Sequence, residues 1–220
     1  MARVACSGFP LPVSRYFQEM RAVEIAETEL AIPGAGTVRR WLREAPEGFV
    51  FSVLAPKEIA LSGFAATKEN AAALAGILEL AKTVGAKAVV IAAPPELAAS
   101  RPHRAAIRAF CEGVGKRGRR PAIVLDLPAW SVEEAGVTVK GLGVEIAYNP
   151  LAAGPTPTVL DLAYMRLPGP AGHRSRYEET ALDRVAAHCR AVKAKDSFCV
   201  FCNIDMFANA KYVMTALGEV

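Results

Sequence analysis

Four polar side chains stand inside stretches of the sequence that are otherwise apolar: Glu24, Asp126, Arg166 and Asn203. Arg166 lies near the end of residues 158–169, which are apolar almost throughout and end in Pro-Gly. A guanidinium keeps its proton at any ordinary pH, so its burial without a partner costs several kcal/mol. We therefore expect Arg166 either to pair with an acidic residue of another strand or to face a wet pocket that binds an anion.

The two carboxylates are the candidates for acid–base chemistry. Glu24 could serve as a catalytic group or as the buried structural partner of Arg166, and both roles are compatible. For Asp126, a hydrogen-bond acceptor at the end of a strand is favoured over a general base. Strand alternation places Thr28 on the face of Glu24, and Tyr164 on the face of Arg166. The side chains predicted to bind the ligand are Arg166, Tyr164, Thr28 and Asn203.

Eight apolar stretches must position these side chains, and most of them alternate with segments of helical spacing. The strands are short Val/Ile/Leu/Ala runs bounded by Gly and Pro, which is typical of strands buried on both faces of a parallel sheet. The predicted strands cover residues 3–8, 22–29, 49–59, 86–95, 121–128, 144–150, 158–169 and 197–204. The predicted helices cover residues 15–20, 37–45, 67–84, 100–115, a short turn after Ser131, 177–194 and a last segment ending near 217.

This order predicts an α/β protein with a compact (β/α)8 TIM-like barrel over residues 1–220, as a single domain. The helix after the sixth strand is expected to be reduced or missing, because a Gly/Pro/Thr-rich segment follows residues 144–150. Active sites of such barrels lie at the carboxyl ends of the strands. All of the candidate side chains fall near those ends.

The segment after the seventh strand, GPAGHRSRY at residues 169–177, is a second candidate for ligand binding. Barrels often bind phosphate with the loops that follow strands seven and eight. Arg174 and Arg176 would add bidentate donors for an anion. The alternative, a solvated mobile loop, stays open. The basic cluster at residues 116–120 precedes a strand, so it is expected at the end of the barrel opposite the candidate site. A solvated turn is favoured there over a nucleic-acid-binding patch.

Composition and motifs exclude several classes of function. The chain has 220 residues, a net charge of +4 and no apolar run long enough for a transmembrane helix, so no membrane association is expected. Its five scattered cysteines favour a reducing cytoplasm. No glycine-rich nucleotide loop follows a strand, and only His173 of the three histidines stands near a strand end. We therefore predict no cofactor and no metal centre.

Six stretches match one known pattern in both order and spacing. They are AVEIAET (22–28), TVRRWLREAPEGFVFSVLAPKEI (37–59), AAPP (92–95), LDLPAWS (125–131), YMRLPG (164–169) and CVFCNID (199–205). Together they resemble domain-of-unknown-function family 72, also called YecE-like, over most of the chain. The resemblance implies a TIM barrel and supplies no settled activity.

The chain also departs from the pattern of that family. Where the family has Lys, Gln and His, this sequence has Leu54, Ala92 and Pro168. The family's strand-five polar residues fall at Val124, Asp126 and Leu127. The polar positions that match the family are Glu24, Thr28, Tyr164, Arg166 and Asn203. The scaffold is thus kept while part of the polar lining is rewritten.

Three functions remain open from the sequence. The first is an enzyme for a small anionic substrate, phosphorylated or sugar-like, bound by Arg166 with Arg174 or Arg176 while Glu24 or Asp126 does acid–base work. The second is a non-catalytic barrel that binds a ligand or partner, for which we expect a pocket lined by Ala and Leu. The third, and weakest, is a nucleic-acid-binding or repair barrel, which requires a continuous basic rim. The sequence does not predict an oligomeric state.

Overall fold

Eight parallel strands form one sheet in a computed structural model that describes residues 2–115, 121–152 and 161–219. Neighbours pair in the order β6-β5-β4-β3-β2-β1-β8-β7. The strands are β1 (Arg3–Ser7), β2 (Ala22–Ile25), β3 (Val50–Leu54), β4 (Ala88–Ala92), β5 (Ala122–Asp126), β6 (Glu145–Ile146), β7 (Leu162–Leu167) and β8 (Asp196–Phe201).

The sheet closes into a barrel where the chain after β6 meets β7. The Tyr148 N–H donates to the Tyr164 carbonyl at 3.0 Å, and the Arg166 N–H donates to the Tyr148 carbonyl at 3.0 Å. The predicted TIM-like barrel is therefore confirmed. The beginning of the predicted seventh strand, residues 158–160, and the basic cluster at residues 116–120 lie outside the described residues.

Helices connect the strands along the outside of the barrel. They are α1 (Val13–Glu19), α2 (Ala35–Glu44), α3 (Glu58–Leu61), α4 (Lys68–Thr83), α5 (Arg101–Gly115), α6 (Val132–Val139), α7 (Glu179–Ala191) and α8 (Met206–Leu217). Between β6 and β7, residues 147–152 form no helix, which agrees with the prediction of a reduced helix there; residues 153–160 lie outside the description.

Side chains alternate between the barrel interior and the layer under the helices, as the period of a strand requires. The interior is filled mainly by small residues, which lets eight strands approach each other closely. Its buried apolar members are Ala5, Ala22, Leu54, Ala88, Val90, Ala122, Val124, Ala147, Leu162, Tyr164, Phe198 and Val200. At the amino-terminal end of the strands, Arg3 Nη1 pairs with Asp196 Oδ1 at 2.7 Å.

Several predicted strands are too long, most clearly the second, the third and the sixth; the sixth, predicted over residues 144–150, is observed only at Glu145–Ile146. β2 ends at Ile25, and Glu27–Glu29 form a 3-10 helix, so Thr28 does not lie on the strand with Glu24. β3 ends at Leu54, just before Pro56, which has no N–H to continue the ladder. The helices α1 and α2 begin earlier than predicted, so Ser14 and Thr37 lie inside them. Ser131 caps α6 as its position predicts, and it forms a capping box with Glu134.

The carboxyl end of the barrel, which we call the mouth, is surrounded by loops rich in proline. Each loop that follows β1 to β7 contains at least one. These prolines are Pro10, Pro12, Pro33, Pro56, Pro94, Pro95, Pro128, Pro150, Pro168 and Pro170. Because the pyrrolidine ring fixes one backbone torsion, such loops have few conformations. The scaffold around the candidate site is correspondingly rigid.

Candidate functional site

Arg166 lies between two carboxylates inside the mouth. Its Nη2 atom is 2.9 Å from Glu24 Oε1, and its Nη1 atom donates to Asp126 Oδ2. The ion pair predicted between Glu24 and Arg166 is thus confirmed. Asp126 is a second partner that the sequence did not identify as one. All three residues come from different strands, β2, β5 and β7, whose inward positions meet at one level of the barrel.

Glu24 is completely enclosed and accepts from three donors. The Ser7 hydroxyl donates to Oε1 at 2.6 Å, Arg166 donates to the same oxygen, and the Tyr164 hydroxyl donates to Oε2 at 2.9 Å. Since Tyr164 uses its proton on the carboxylate, the Ser52 hydroxyl at 2.7 Å must donate to the Tyr164 oxygen. These donors fix the orientation of the Glu24 carboxylate, which in turn holds Arg166 in place.

The surroundings of Arg166 keep the guanidinium charged and keep the Tyr164 hydroxyl and the Cys202 thiol neutral near pH 7. Burial opposes the charged guanidinium, yet Cys202, Glu24, Asp126 and Tyr164 outweigh it and raise the pKa of Arg166 well above its ordinary value. Burial, followed by the charge of Glu24, raises the pKa of Tyr164 well above 10.0. Burial raises the pKa of the Cys202 thiol to about 12, so this thiol is neutral near pH 7 and the two carboxylates are the effective partners of Arg166.

Only part of this network can be reached from the mouth. The Glu24 side chain has no exposed surface, whereas 20% of the Asp126 side chain and 13% of the Arg166 side chain are exposed. Among the described residues, no acceptor bonds to the buried Nε atom of Arg166. A bound molecule would therefore meet Asp126 and the outer edge of the guanidinium, with Glu24 behind them.

Replacing Tyr164 with phenylalanine tests the inner part of the network. The change leaves Glu24 Oε2 without a donor in a dry interior and leaves the Ser52 hydroxyl only the long contact of 3.4 Å to the Val23 carbonyl, so we expect the free energy of unfolding to fall by about 1–3 kcal/mol. Urea unfolding monitored by circular dichroism measures the loss. The matched control is Tyr212→Phe, because Tyr212 donates to Asp183 at 3.0 Å on the surface and its removal should cost under about 1 kcal/mol. Equal losses in the two variants would contradict the role given to Tyr164.

The loop at residues 169–177 is held by hydrogen bonds along its length. Gly169 N–H donates to the Tyr177 hydroxyl at 2.8 Å, and the Ser175 hydroxyl donates to the Gly172 carbonyl at 2.6 Å. The His173 ring bonds through Nδ1 to the Cys202 carbonyl at 2.7 Å. The loop is solvated at residues 170–174, all of them exposed, while these contacts tie it to its own backbone and to Cys202.

Asn203 connects this loop to the start of α8. Its amide Nδ2 donates to the Ser175 carbonyl at 3.0 Å, and its Oδ1 accepts from Asn209 Nδ2 at 3.0 Å. The side chain is fully buried. Thr28 is similarly enclosed, with its hydroxyl 2.8 Å from the Ile25 carbonyl and 2.6 Å from the Leu54 carbonyl. Both side chains are thus bonded to protein groups at the ends of the strands.

The two arginines of the loop lie outside the network of Arg166. Arg174 is exposed and forms no ion pair with any described residue. Arg176 lies 3.3 Å from Asp205, measured from Nε to Oδ2, with 76% of its side chain exposed. The structure therefore brings together Glu24, Asp126, Arg166 and Tyr164 from the predicted set, and it places Arg174 and Arg176 on the rim.

Sequence reasoning missed Ser7, Ser52 and Cys202. Ser52 is a hydroxyl residue in the middle of an apolar strand, the same signal that identified Glu24 and Asp126. Ser7 and Cys202 stand at strand ends, and only the register, which pairs Ser7 with Glu24, shows that Ser7 reaches the network. Within the part of the chain that the structure describes, no group of three or more His, Cys, Asp or Glu side chains could hold a metal ion.

The comparison with protein families is decisive. A family model described as "Protein of unknown function DUF72" matches residues 12–220, nearly the whole chain. The chain belongs to the DUF72 family. No curated protein matches the sequence significantly.

Solved structures of DUF72 proteins share the fold of this chain. One from Enterococcus faecalis V583 is 17% identical, with a TM-score of 0.76 over 99% of this chain and 98% of its own. One from Thermotoga maritima MSB8 is 18% identical, with a TM-score of 0.74 over 100% of both chains. Endonuclease IV from Thermus thermophilus is 13% identical, with a TM-score of 0.52 over 99% of this chain and 100% of its own. Identities this low establish the barrel alone for the DUF72 protein described here.

The structure locates the positions at which this chain departs from the family pattern described above. Leu54 and Ala92 stand at the ends of β3 and β4, where their side chains border the interior of the mouth. Pro168 follows β7 and is exposed. None of the helices in the described parts of the chain is long and apolar enough to cross a membrane.

Proposed function

We propose that this DUF72 protein is an enzyme that carries out proton transfer on a small polar, sugar-like or phosphorylated molecule bound in the mouth of the barrel. The proposal rests on one observation, that a molecule in the mouth can touch one end of the ion-pair network. Small parts of the Asp126 and Arg166 side chains are exposed there, and Glu24 is enclosed behind them. A carboxylate with some solvent access, oriented by an arginine, can accept or supply a proton.

The roles of the side chains follow from what each can touch. Asp126 is the acid–base group, and Arg166 orients it and donates to the ligand. Glu24 acts as a positioning residue, because its carboxylate is enclosed and already accepts from Ser7, Arg166 and Tyr164. Tyr164 positions Glu24 in turn. Thr28 and Asn203, whose polar atoms bond to protein groups, shape the backbone around the site.

The charges of Arg166 and its two carboxylates indicate that an anionic part of the substrate binds away from Arg166. The one positive charge of Arg166 is shared by two carboxylates, so this inner group carries a net charge of −1. A phosphate would have to displace Asp126 and would be repelled by Glu24. The exposed Arg174 is the better group to bind the anionic part of the substrate, and Arg176 is the next best. The hydroxyl-bearing end of the substrate would then lie against Asp126.

A non-catalytic binding barrel is the second candidate, and the lining of the mouth favours it. Ala26, Leu54 and Ala92 border the interior there and offer no functional groups. Such a pocket could bind a ligand by shape while Arg166 and its carboxylates serve only to hold the barrel together. Turnover of any bound compound would separate the two candidates.

A nucleic-acid-binding barrel is poorly supported by the charges on the rim. The protein has a net charge of +4, but the described mouth loops, with the short α3, are richer in acidic residues than in basic ones. The acidic residues are Glu27, Glu29, Glu58, Glu96, Glu178 and Asp205; the basic ones are Lys57, Arg174 and Arg176. A phosphate backbone needs a continuous basic surface, and this rim does not supply one.

The proposal is tested with a panel of sugars, polyols and sugar phosphates. We expect at least one compound to raise the melting temperature, since a ligand that binds only the folded state stabilises it. Asp126→Asn keeps the shape of the side chain and removes its basicity, so turnover of that compound should fall by about 10²–10⁴-fold with a smaller change in KM. Product formation is followed by mass spectrometry.

Glu96→Gln is the matched control, because Glu96 is a rim carboxylate outside the network. Its turnover should remain that of the wild type. Undiminished turnover in Asp126→Asn would overturn the assignment of the acid–base group. Binding without any turnover in the wild type would favour the non-catalytic candidate.

A further inference from the structure

His173 is held at two points although its side chain is exposed. Its ring bonds through Nδ1 to the Cys202 carbonyl at 2.7 Å, and its own carbonyl accepts from the Ile204 N–H at 2.7 Å. An exposed histidine on a loop usually samples several rotamers. Here the ring orientation is fixed, and the residue after β8 fixes it.

The partner determines which ring nitrogen is basic. A carbonyl oxygen only accepts, so Nδ1 of His173 must carry the proton. In the neutral ring the lone pair is then on Nε2, which no described residue bonds. The ring therefore presents a basic nitrogen on its exposed edge, in a defined direction.

Cys202 links the loop that carries this ring to the strand of Arg166. The Cys202 N–H donates to the carbonyl of Leu167, the residue that follows Arg166, at 2.9 Å. The Cys202 side chain borders the interior of the barrel, within range of the charges of Arg166, Glu24 and Asp126. The other charged groups near the loop are Arg174, Arg176 and Asp205.

We propose that His173 is a second catalytic acid–base group of the mouth, which acts through Nε2 on the substrate that Asp126 also touches. The inference rests on the proposed function and deepens it. Asp126 removes a proton from one substrate atom and His173, as imidazolium, supplies a proton to another; the reverse step exchanges the roles. Protons balance within the site, so the chemistry is an isomerisation or an elimination that needs no oxidant or reductant.

The alternative role for His173 is a latch that only ties the loop to β8. His173→Asn separates the two roles, because the amide nitrogen of asparagine occupies the position of Nδ1 and can still donate to the Cys202 carbonyl. The variant keeps the tie and has no equivalent of Nε2. His103→Asn is the matched control, since His103 also bonds a carbonyl through Nδ1, that of Ala98 at 2.8 Å, outside the network.

The first experiment needs no ligand. Nitrogen NMR of the protein labelled at its three histidines should show His173 with the proton on Nδ1. Asp126→Asn changes the charge of the mouth, so the ring nitrogen signals of His173 should shift from their wild-type positions. Glu112→Gln, on α5, should leave these signals unchanged. His173 signals that do not move in Asp126→Asn place the two groups too far apart and overturn the inference.

The second experiment measures turnover against pH for the compound found with the sugar and sugar phosphate panel. His173→Asn should lower kcat by about 10²-fold or more and remove one limb of the profile, while its melting temperature stays near that of the wild type. His103→Asn should keep both limbs. Loss of activity in Asp126→Asn but not in His173→Asn would overturn the role of His173 and leave the proposed function standing. Full activity in both variants would overturn both the role of His173 and the proposed function. If no compound is turned over, the NMR experiment alone decides the role of His173.

Discussion

Replacement of Arg166 with methionine is expected to lower the free energy of unfolding by about 3–5 kcal/mol. Methionine fills a similar volume but leaves Glu24 charged, fully buried and short of its cationic donor. Two remaining hydroxyl donors do not replace a guanidinium that also bonds Asp126. The loss should appear as a lower midpoint in urea unfolding, with the slope unchanged.

The surface arginine of the loop gives the control for this prediction. Arg174→Met changes the same side chain at an exposed position without an ion pair among the described residues, so it should shift stability by less than about 0.5 kcal/mol. The double variant Glu24→Gln with Arg166→Met should recover part of the loss, because it removes the unpaired charge. A double variant no more stable than Arg166→Met alone would contradict the argument that the buried charge causes the loss.

Gly169→Ala is the second change with a large expected effect, about 2–4 kcal/mol. Gly169 has a φ of +100°, and an added Cβ would lie 2.2 Å from the Gly172 carbonyl oxygen and 2.6 Å from the Ser175 hydroxyl. Neither atom can move freely, because Ser175 is tied to Asn203. The loop would have to open, and with it the hydrogen bond of His173 to Cys202.

Gly172→Ala separates steric contact from backbone strain in that loop. Gly172 has a φ of +92°, but an added Cβ meets no atom within 4 Å. Its cost should be the conformational strain alone, about 1–2 kcal/mol. Urea unfolding gives the two stabilities, and hydrogen exchange of the loop amides should rise more in Gly169→Ala. Equal effects of the two changes would show that packing inside the loop does not matter.

The sequence predicted the barrel because the physical causes of the barrel are local. Strands buried on both faces lose the apolar alternation, and the β-then-α order admits few parallel folds. The same period of two placed Tyr164 on the face of Arg166, and the carboxylate of Glu24 inside an apolar strand made it a candidate partner. The boundaries of β2, β3 and β6 were less accurate, since the residues at a strand end resemble those of a turn or a short helix.

The network could be predicted only in part, because its geometry depends on register. Whether Arg166 would reach Glu24, Asp126 or both is a matter of ångströms that spacing along the chain does not encode. Ser7 enters because β1 pairs Ser7 directly with Glu24. The ties of His173 to Cys202 and of Asn203 to Ser175 join segments about thirty residues apart, so no local pattern marks them.

The prolines around the mouth have a practical consequence for finding the ligand. A molecule that docks against such loops has little chain motion to arrest, so its affinity depends on fit and dehydration more than on ordering. The empty and occupied forms should then superimpose closely. Crystals of the free protein can accordingly be soaked with mixtures of small compounds, and the occupant identified directly from its electron density beside Asp126.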